Sequence, residues 1–386
     1  MEDDGELGSP QFWVERTLAH GQEAQVMNVD GFLAMTWRTK ESSLQIQVVA
    51  ALPWAGQDAE ATGLTALQIY RDLAQFDFGL EETDALRLAA ILLSVDSFSG
   101  PHQHALSRST VSAAHPKIDS WAGGGCNNYI PNPVTANWTL LAPQFRYVDQ
   151  ILAFAPKVRG AANMERFRYW ADVHQLNRAE GKAMTLWAAF ENAFSVASNS
   201  SLASAGTRRA ALSARVELVA ATDDVMRLHS DTLGSMGSLG TLMEKQQRWI
   251  PFMISNYDAS LAKVLQLPVL PPAALLSPRF LGVERVFALS ARGSMAATEP
   301  SYVLTAIALS AEPVQICAVF AQPLGPSTAP MFLTQPMSLL TAGRQVFRLE
   351  VKPVGDFQFY VNCSVGARTL TWPADGVKKP FTVIVV

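Results

Sequence analysis

The hydrophobic period of this chain changes once, at a proline-rich stretch, and that change constrains the fold more than any other feature. Residues 266–280 contain Pro268, Pro271, Pro272 and Pro278. Upstream, apolar residues recur every three to four positions, the spacing of one helix face. Downstream they alternate with polar ones, the spacing of a half-buried strand. Proline fixes φ and lacks a backbone N–H, so neither a helix nor a central strand runs through such a stretch. The pattern predicts an α+β chain with a mainly helical N-terminal and central body over 11–265. A linker over 266–280 and a C-terminal antiparallel β-sandwich or jelly roll over 281–386 complete it. Residues 1–10 read as a flexible acidic tail.

Within the body, a short β region is expected first. Residues 25–37 have Asp30-Gly31 at their middle, a hairpin signal. Residues 44–48 alternate apolar and polar, and Pro53 ends them. Helical spacing follows over 65–76, with Leu67, Tyr70, Leu73 and Ala74 on one face. It resumes over 81–95, where Leu86, Leu88, Ile91, Leu92 and Val95 suggest a wholly buried helix behind the acidic start Glu81-Glu82-Thr83-Asp84. Further helices are expected over 144–155, 163–176, 178–198 and 205–233. In the last, Leu212, Val216, Val219, Met226 and Leu233 form the apolar stripe, with Arg and Asp residues opposite. Gly234, Gly237 and Gly240 read as a break, with a short helix over 242–249 stopping before Pro251. Residues 99–143 hold Pro101, Pro116, Pro131, Pro133 and Pro143 around Gly123-Gly124-Gly125, and are expected to form a long irregular loop.

Beyond the linker, strands are expected over 283–290, 302–309, 314–322, 345–351, 357–363, 368–372 and 381–386. Proline and glycine turns such as Glu312-Pro313 and Pro353-Val354-Gly355-Asp356 separate them. That spacing suits a sandwich. No repeat of 20–50 residues is visible.

Composition narrows the function. Charged residues make up 17% of the chain, against about 25% in an average soluble domain. Low charge, with 12 Met and 9 Trp, fits a surface partly buried against other chains. A coding bias explains the same numbers, since Arg outnumbers Lys 21 to 9. The formal net charge of −4 and the lack of a basic arm argue against tight nucleic-acid binding. The densest basic groups, Arg208-Arg209 with Arg215 and Arg159 with Arg166 and Arg168, are diluted by acids such as Glu217 and Glu165; the first is the candidate for loose RNA contact. The acidic start carries no secretory signal, and no stretch is apolar enough to span a bilayer. Cys126, Cys317 and Cys363, odd in number and widely spaced, are read as reduced cytosolic thiols.

Several motifs were weighed as chemistry. Cys126 follows three glycines, with His102, His104 and His115 upstream, an arrangement a cysteine hydrolase would use. A small, buried loop cysteine is the simpler reading, since single cysteines near histidines are common by chance. The histidines lack zinc-like spacing, so no metal and no cofactor is expected. Gly234 to Gly240 lacks the Lys-Ser/Thr end of a phosphate loop. Asp223-Asp224 and Glu81-Glu82 read as solvated helix residues rather than a catalytic pair. No catalytic residue is assigned.

Asn132-Pro133-Val134-Thr135-Ala136-Asn137-Trp138 and Gln144-Phe145-Arg146-Tyr147-Val148-Asp149, leading into a helix-rich body, resemble the coat proteins of small double-stranded RNA viruses, partitivirus-like or totivirus-like. The likeness spans about 65–265 and is one of texture. It implies a homo-oligomeric shell built from dimers around the genome. It further implies location in the virion or host cytoplasm, with the β domain as a projection or inter-subunit element. Trp121, Trp138, Trp170 and Trp249 are the interface candidates, because Trp is enriched at binding hot spots. The alternatives are a hydrolase using the 99–143 loop, and a ligand-binding or pore-forming protein with a recognition sandwich.

Overall fold

The computed structural model describes residues 14–29, 43–55, 64–96, 137–199, 201–233, 236–275, 284–288, 291–310, 312–324, 332–340, 345–353, 355–373, 376–378 and 380–386. The chain divides into two compact units, Met1–Pro278 and Arg279–Val386. The first is helical and the second is built of β-sheet, as the change of period predicts.

The helical unit opens with α1 (Val14–Val26) and α2 (Ser43–Ala55). This corrects the expected β-hairpin. Leu44, Val48 and Leu52 are buried while Ile46 is exposed, so the spacing that matters is i, i+4, i+8. The local alternation at 44–48 satisfies a strand and a helix equally, and packing against α1 decides for the helix. A Cβ added at Gly21 of α1 would run into the Leu52 side chain, so the two helices approach closely there. The Asp30-Gly31 turn lies outside the described residues.

Helix α3 (Ala66–Asp72) starts at Thr65, whose hydroxyl accepts the Gln68 N–H, and continues as a π-helical turn, Leu73–Asp77. Tyr70, Leu73 and Ala74 are buried as expected, but Leu67 faces outward and Ile69 takes its place. Helix α4 (Glu82–Ser94) is amphipathic rather than wholly buried. Ala85, Leu88, Ala89 and Leu92 face inward, and Leu86 is exposed. The buried Tyr70 hydroxyl donates to Asp96 Oδ2 at 2.8 Å, and the Glu15 N–H donates to the same oxygen at 3.3 Å. One carboxylate thus ties α1, α3 and the end of α4 together.

A short turn, α5 (Trp138–Leu141), capped by the Asn137 side chain, leads to α6 (Arg146–Leu152). The two helices expected over 163–198 are one, α7 (Ala161–Ser198). Helix α8 (Ala205–Asp231) follows, opened by a capping box in which Ser204 and Thr207 satisfy each other's backbone N–H. Helix α9 (Met236–Met253) starts earlier and ends later than expected. It runs through Gly237, Gly240 and Pro251, so tertiary contacts override the intrinsic cost of these residues. Helix α10 (Asp258–Leu265) ends at Gln266 in the left-handed region. The expected linker is only partly one, because Leu270 and Ala274 are buried and the unit boundary falls at Pro278.

The β unit is a two-sheet sandwich. Its strands are β1 (Arg285–Ala288), β2 (Ser294–Met295), β3 (Tyr302–Leu309), β4 (Ile316–Pro323), β5 (Leu333–Pro336), β6 (Ser338–Leu339), β7 (Val346–Val351), β8 (Phe357–Val365), β9 (Arg368–Trp372) and β10 (Phe381–Val385). One sheet has the order β1-β3-β7-β6. The other has the order β2-β10-β8-β4-β5, with β9 also on β8. All pairs are antiparallel except β10 with β2. Strand β3 buries every second residue, which is the alternation read from sequence. Val286, Leu304 and Phe347 of one sheet and Val319, Phe359 and Val361 of the other share the core. Sequence reading missed β2, β5 and β6, which are too short to show a period. Gly366, at φ +57°, makes the tight turn between β8 and β9.

Cys317 and Cys363 are register partners in β4 and β8, with Cα atoms 4.1 Å apart, and are joined by a disulfide. This overturns the reduced reading of these two residues. A separation of 46 positions hides a pairing that only the strand register creates. Closing a loop of that size contributes about 4 kcal/mol by chain entropy. The double variant C317A/C363A should therefore lose about 2–4 kcal/mol of sandwich stability in denaturant unfolding. Intact-mass analysis of the unreduced, alkylated protein should find neither residue labelled.

Candidate functional site

The candidate residues separate once the helices are in place. Trp121, Cys126, His102, His104 and His115 lie outside the described residues, as does most of the 99–143 loop. Trp138 is half-buried and packs on Phe145, with ring centroids 5.5 Å apart. Trp170 and Trp249 are buried, which corrects their reading as interface residues. Trp170 packs edge-on against Tyr169 at 5.7 Å. It also lines an apolar cavity of about 10 Å³ with Leu73, Phe78, Leu88 and Phe167, room for about one water. The ammonium of Lys245 sits 4.8 Å from the Trp249 ring centroid. Among the described residues, no group of three His, Cys, Asp or Glu side chains stands close enough to hold a metal. Among the described residues, no helix is long and apolar enough to cross a membrane.

Arg208 and Arg209 remain at the surface on the first turns of α8, half-exposed and exposed respectively. Arg215 does not join them. It is fully buried, its Nη2 donates to Asp258 Oδ1, and its guanidinium carbon lies 5.7 Å from the Phe190 ring centroid. Its Nε and Nη1 have no hydrogen-bond partner. Burial lowers its pKa to about 10. An Arg in this position fastens α8 to α7 and α10 and is removed from any RNA.

The reason this residue was misplaced is the phase of α8. Its core face is Ala211, Arg215, Leu218, Thr222, Val225 and His229, a heptad-like stripe with polar residues at every seventh position. Of the stripe read from sequence, Val219, Met226 and Leu233 are buried, while Leu212 and Val216 flank the core face and are half-buried. Hydrophobic periodicity is drawn off phase when Arg, Thr and His hold core positions.

Polar groups recur along this face and beside it. At one end, beside Arg215 and Asp258, the Tyr257 hydroxyl donates to Glu191 of α7. Burial and that hydrogen bond push its pKa up to about 12. In the middle, the Thr222 hydroxyl donates to the Leu218 carbonyl at 2.9 Å. At the other end, Lys245 of α9 donates to Glu180 of α7, both side chains buried. His229 of α8 is buried near Lys245, and its ring nitrogens have no hydrogen-bond partner. Glu180, Lys245 and His229 were not singled out from sequence. The available signal was the i, i+7, i+14 series Arg215, Thr222, His229 inside an apolar stripe.

The carboxylate pairs behave as helix-surface groups. Glu81 pairs with Arg159 and Asp84 with Lys157. The Asp223 carboxyl is raised by partial burial and then by the adjacent Asp224. Comparison with known protein families finds no family model that matches this chain, and no curated protein matches it.

The roles of the three arginines can be separated by substitution. R215A should destabilise the helical unit by about 3 kcal/mol, because it removes a buried guanidinium and frees Asp258. R208A and R209A should each stay within about 0.5 kcal/mol of the parent. Thermal denaturation followed by helical circular dichroism reads both.

Proposed function

We propose that this chain is a structural protein that self-assembles into a dimer-based capsid shell enclosing a double-stranded RNA genome. The β unit would act as a projection or inter-subunit element, and the protein would reside in virions and the host cytoplasm. The observation that carries this reading is an edge of the sandwich on which, among the described residues, no further strand pairs. Strand β5 ends one sheet and β6 ends the other, and the chain crosses between them at Met337, whose N–H donates to the Cys317 carbonyl. Residues 332–340 along this edge include no charged side chain. Leu333 is 63% exposed, Leu339 51% and Leu340 49%, and Ile316 near the crossover is 60% exposed.

Soluble monomers ordinarily blunt such an edge with lysine, glutamate or an inward charge. Here only Pro336 interrupts it. Each of these large side chains would gain about 2 kcal/mol on full burial, enough for four of them to support a subunit contact. The low charge content and the coat-protein resemblance at Asn132–Trp138 and Gln144–Asp149 support the same reading. Arg208 and Arg209, on the surface of α8, are the two residues left for loose RNA contact.

Light scattering and negative-stain microscopy of the purified chain at physiological salt test the reading. Closed particles in the megadalton range are expected. The variant L333K/L339K should leave the sandwich folded and shift the mass toward single subunits or dimers. A wild-type chain that remains at 41.9 kDa under these conditions would sink self-assembly as the function.

A further inference from the structure

At the α7–α9 junction an ion pair is buried, and a histidine of α8 is buried within reach of its cation's charge. Glu180 of α7 and Lys245 of α9 form an ion pair with both side chains nearly inaccessible. Trp249, one turn further along α9, covers the ammonium at 4.8 Å. His229 of α8 is fully buried beside Lys245, with no hydrogen bond to either ring nitrogen. A neutral imidazole is tolerated there, whereas an imidazolium would set a second buried cation next to Lys245 with no partner to neutralise it.

Helix α9 is the element most dependent on this junction. Gly237, Gly240 and Pro251 lie inside it, and each lowers its intrinsic helix stability. What holds it is the Lys245–Glu180 pair and the burial of Leu242, Trp249 and Met253. We propose that Glu180, His229 and Lys245 form an acid-sensitive latch, in which uptake of one proton by His229 releases α9 from the α7–α8 hairpin while the sandwich stays folded.

The charged groups around His229 favour this direction. From α9 the neighbour is Lys245, with Arg248 one turn on and half-exposed. On α7, Glu180 is engaged by Lys245. On α8 itself, Arg227 pairs with Asp224 and Asp231. The turn Pro272–Ala274 contains no ionisable side chain. Burial first, and Lys245 second, hold the imidazole well below the usual histidine range. The closed form therefore stays neutral while the open form titrates near the ordinary value of about 6.5. Above that pH His229 does not affect the balance. Below it the open form binds the extra proton, and closure weakens by up to about tenfold per pH unit until the depressed value is reached.

Hydrogen–deuterium exchange on the full chain, corrected for intrinsic rates, tests the latch between pH 7.5 and 4.5. Protection of 236–253 should fall by up to about tenfold per unit below pH 6.5, with β4 and β8 unchanged. H229L and H229N should each remove this dependence. The proposal is overturned if both variants keep the wild-type profile, or if α9 and the sandwich lose protection together. Should neither variant fold, the wild-type His229 ring is followed by NMR in the native state. A ring that remains neutral through pH 6 in the native state while 236–253 loses protection upholds the latch, and one that titrates near 6.5 overturns it.

Discussion

The helical unit depends on one antiparallel pair, α7 against α8. Several elements of the unit are fixed to it by distinct contacts. Phe78, after the π-helical turn, packs edge-on against Phe167 of α7 at 5.4 Å. Tyr147 of α6 accepts a hydrogen bond from Asn177 and stacks edge-on against His174, both on α7. Helix α9 is held through Lys245 to Glu180, and α10 through Asp258 to Arg215. The pair is long because nothing interrupts it: α7 runs for 38 residues and α8 for 27. A capped turn at Ser204 sets where the second begins. The polar core of this hairpin is therefore also where the rest of the unit is registered. A buried ion pair contributes little net stability but strongly penalises any arrangement that separates its partners.

The sandwich uses a different device. Its core comes from alternation, and its register from the long β4–β8 pairing, in which Cys317 meets Cys363. Arg368 bridges Glu284 and Glu312 at one end. Arg292 clamps Glu299, while its backbone N–H and carbonyl hold the Tyr302 hydroxyl. The strong links are thus inside the sheets and at their ends, and the β5–β6 edge carries none of them.

Much of the architecture was legible in the sequence, and the reasons are specific. Strands β3 and β9 begin and end where alternation said they would, because a sandwich strand shows one face to the core and one outward. The helices α4, α7 and α8 were visible because long amphipathic runs need no neighbour to reveal them. The candidate site was much less legible. Trp170 and Trp249 were read as surface anchors and lie in the core, since a tryptophan in an amphipathic run carries no mark of which side will be covered. Arg215 was read as a surface cation for the same reason: its charge outweighs its position in any one-dimensional count.

Sequence by itself determined the class of the fold, the place where helix gives way to sheet, and the low charge that leaves apolar surface to be covered. Those follow from local spacing and composition, which act over a few residues. Only the tertiary structure decided that 44–55 is helix rather than strand, that Cys317 reaches Cys363, and that Glu180 meets Lys245 in the core. Each depends on groups from separate segments being brought within a few ångströms. Partnership at that range is set by packing and strand register, which no stretch of the sequence contains on its own.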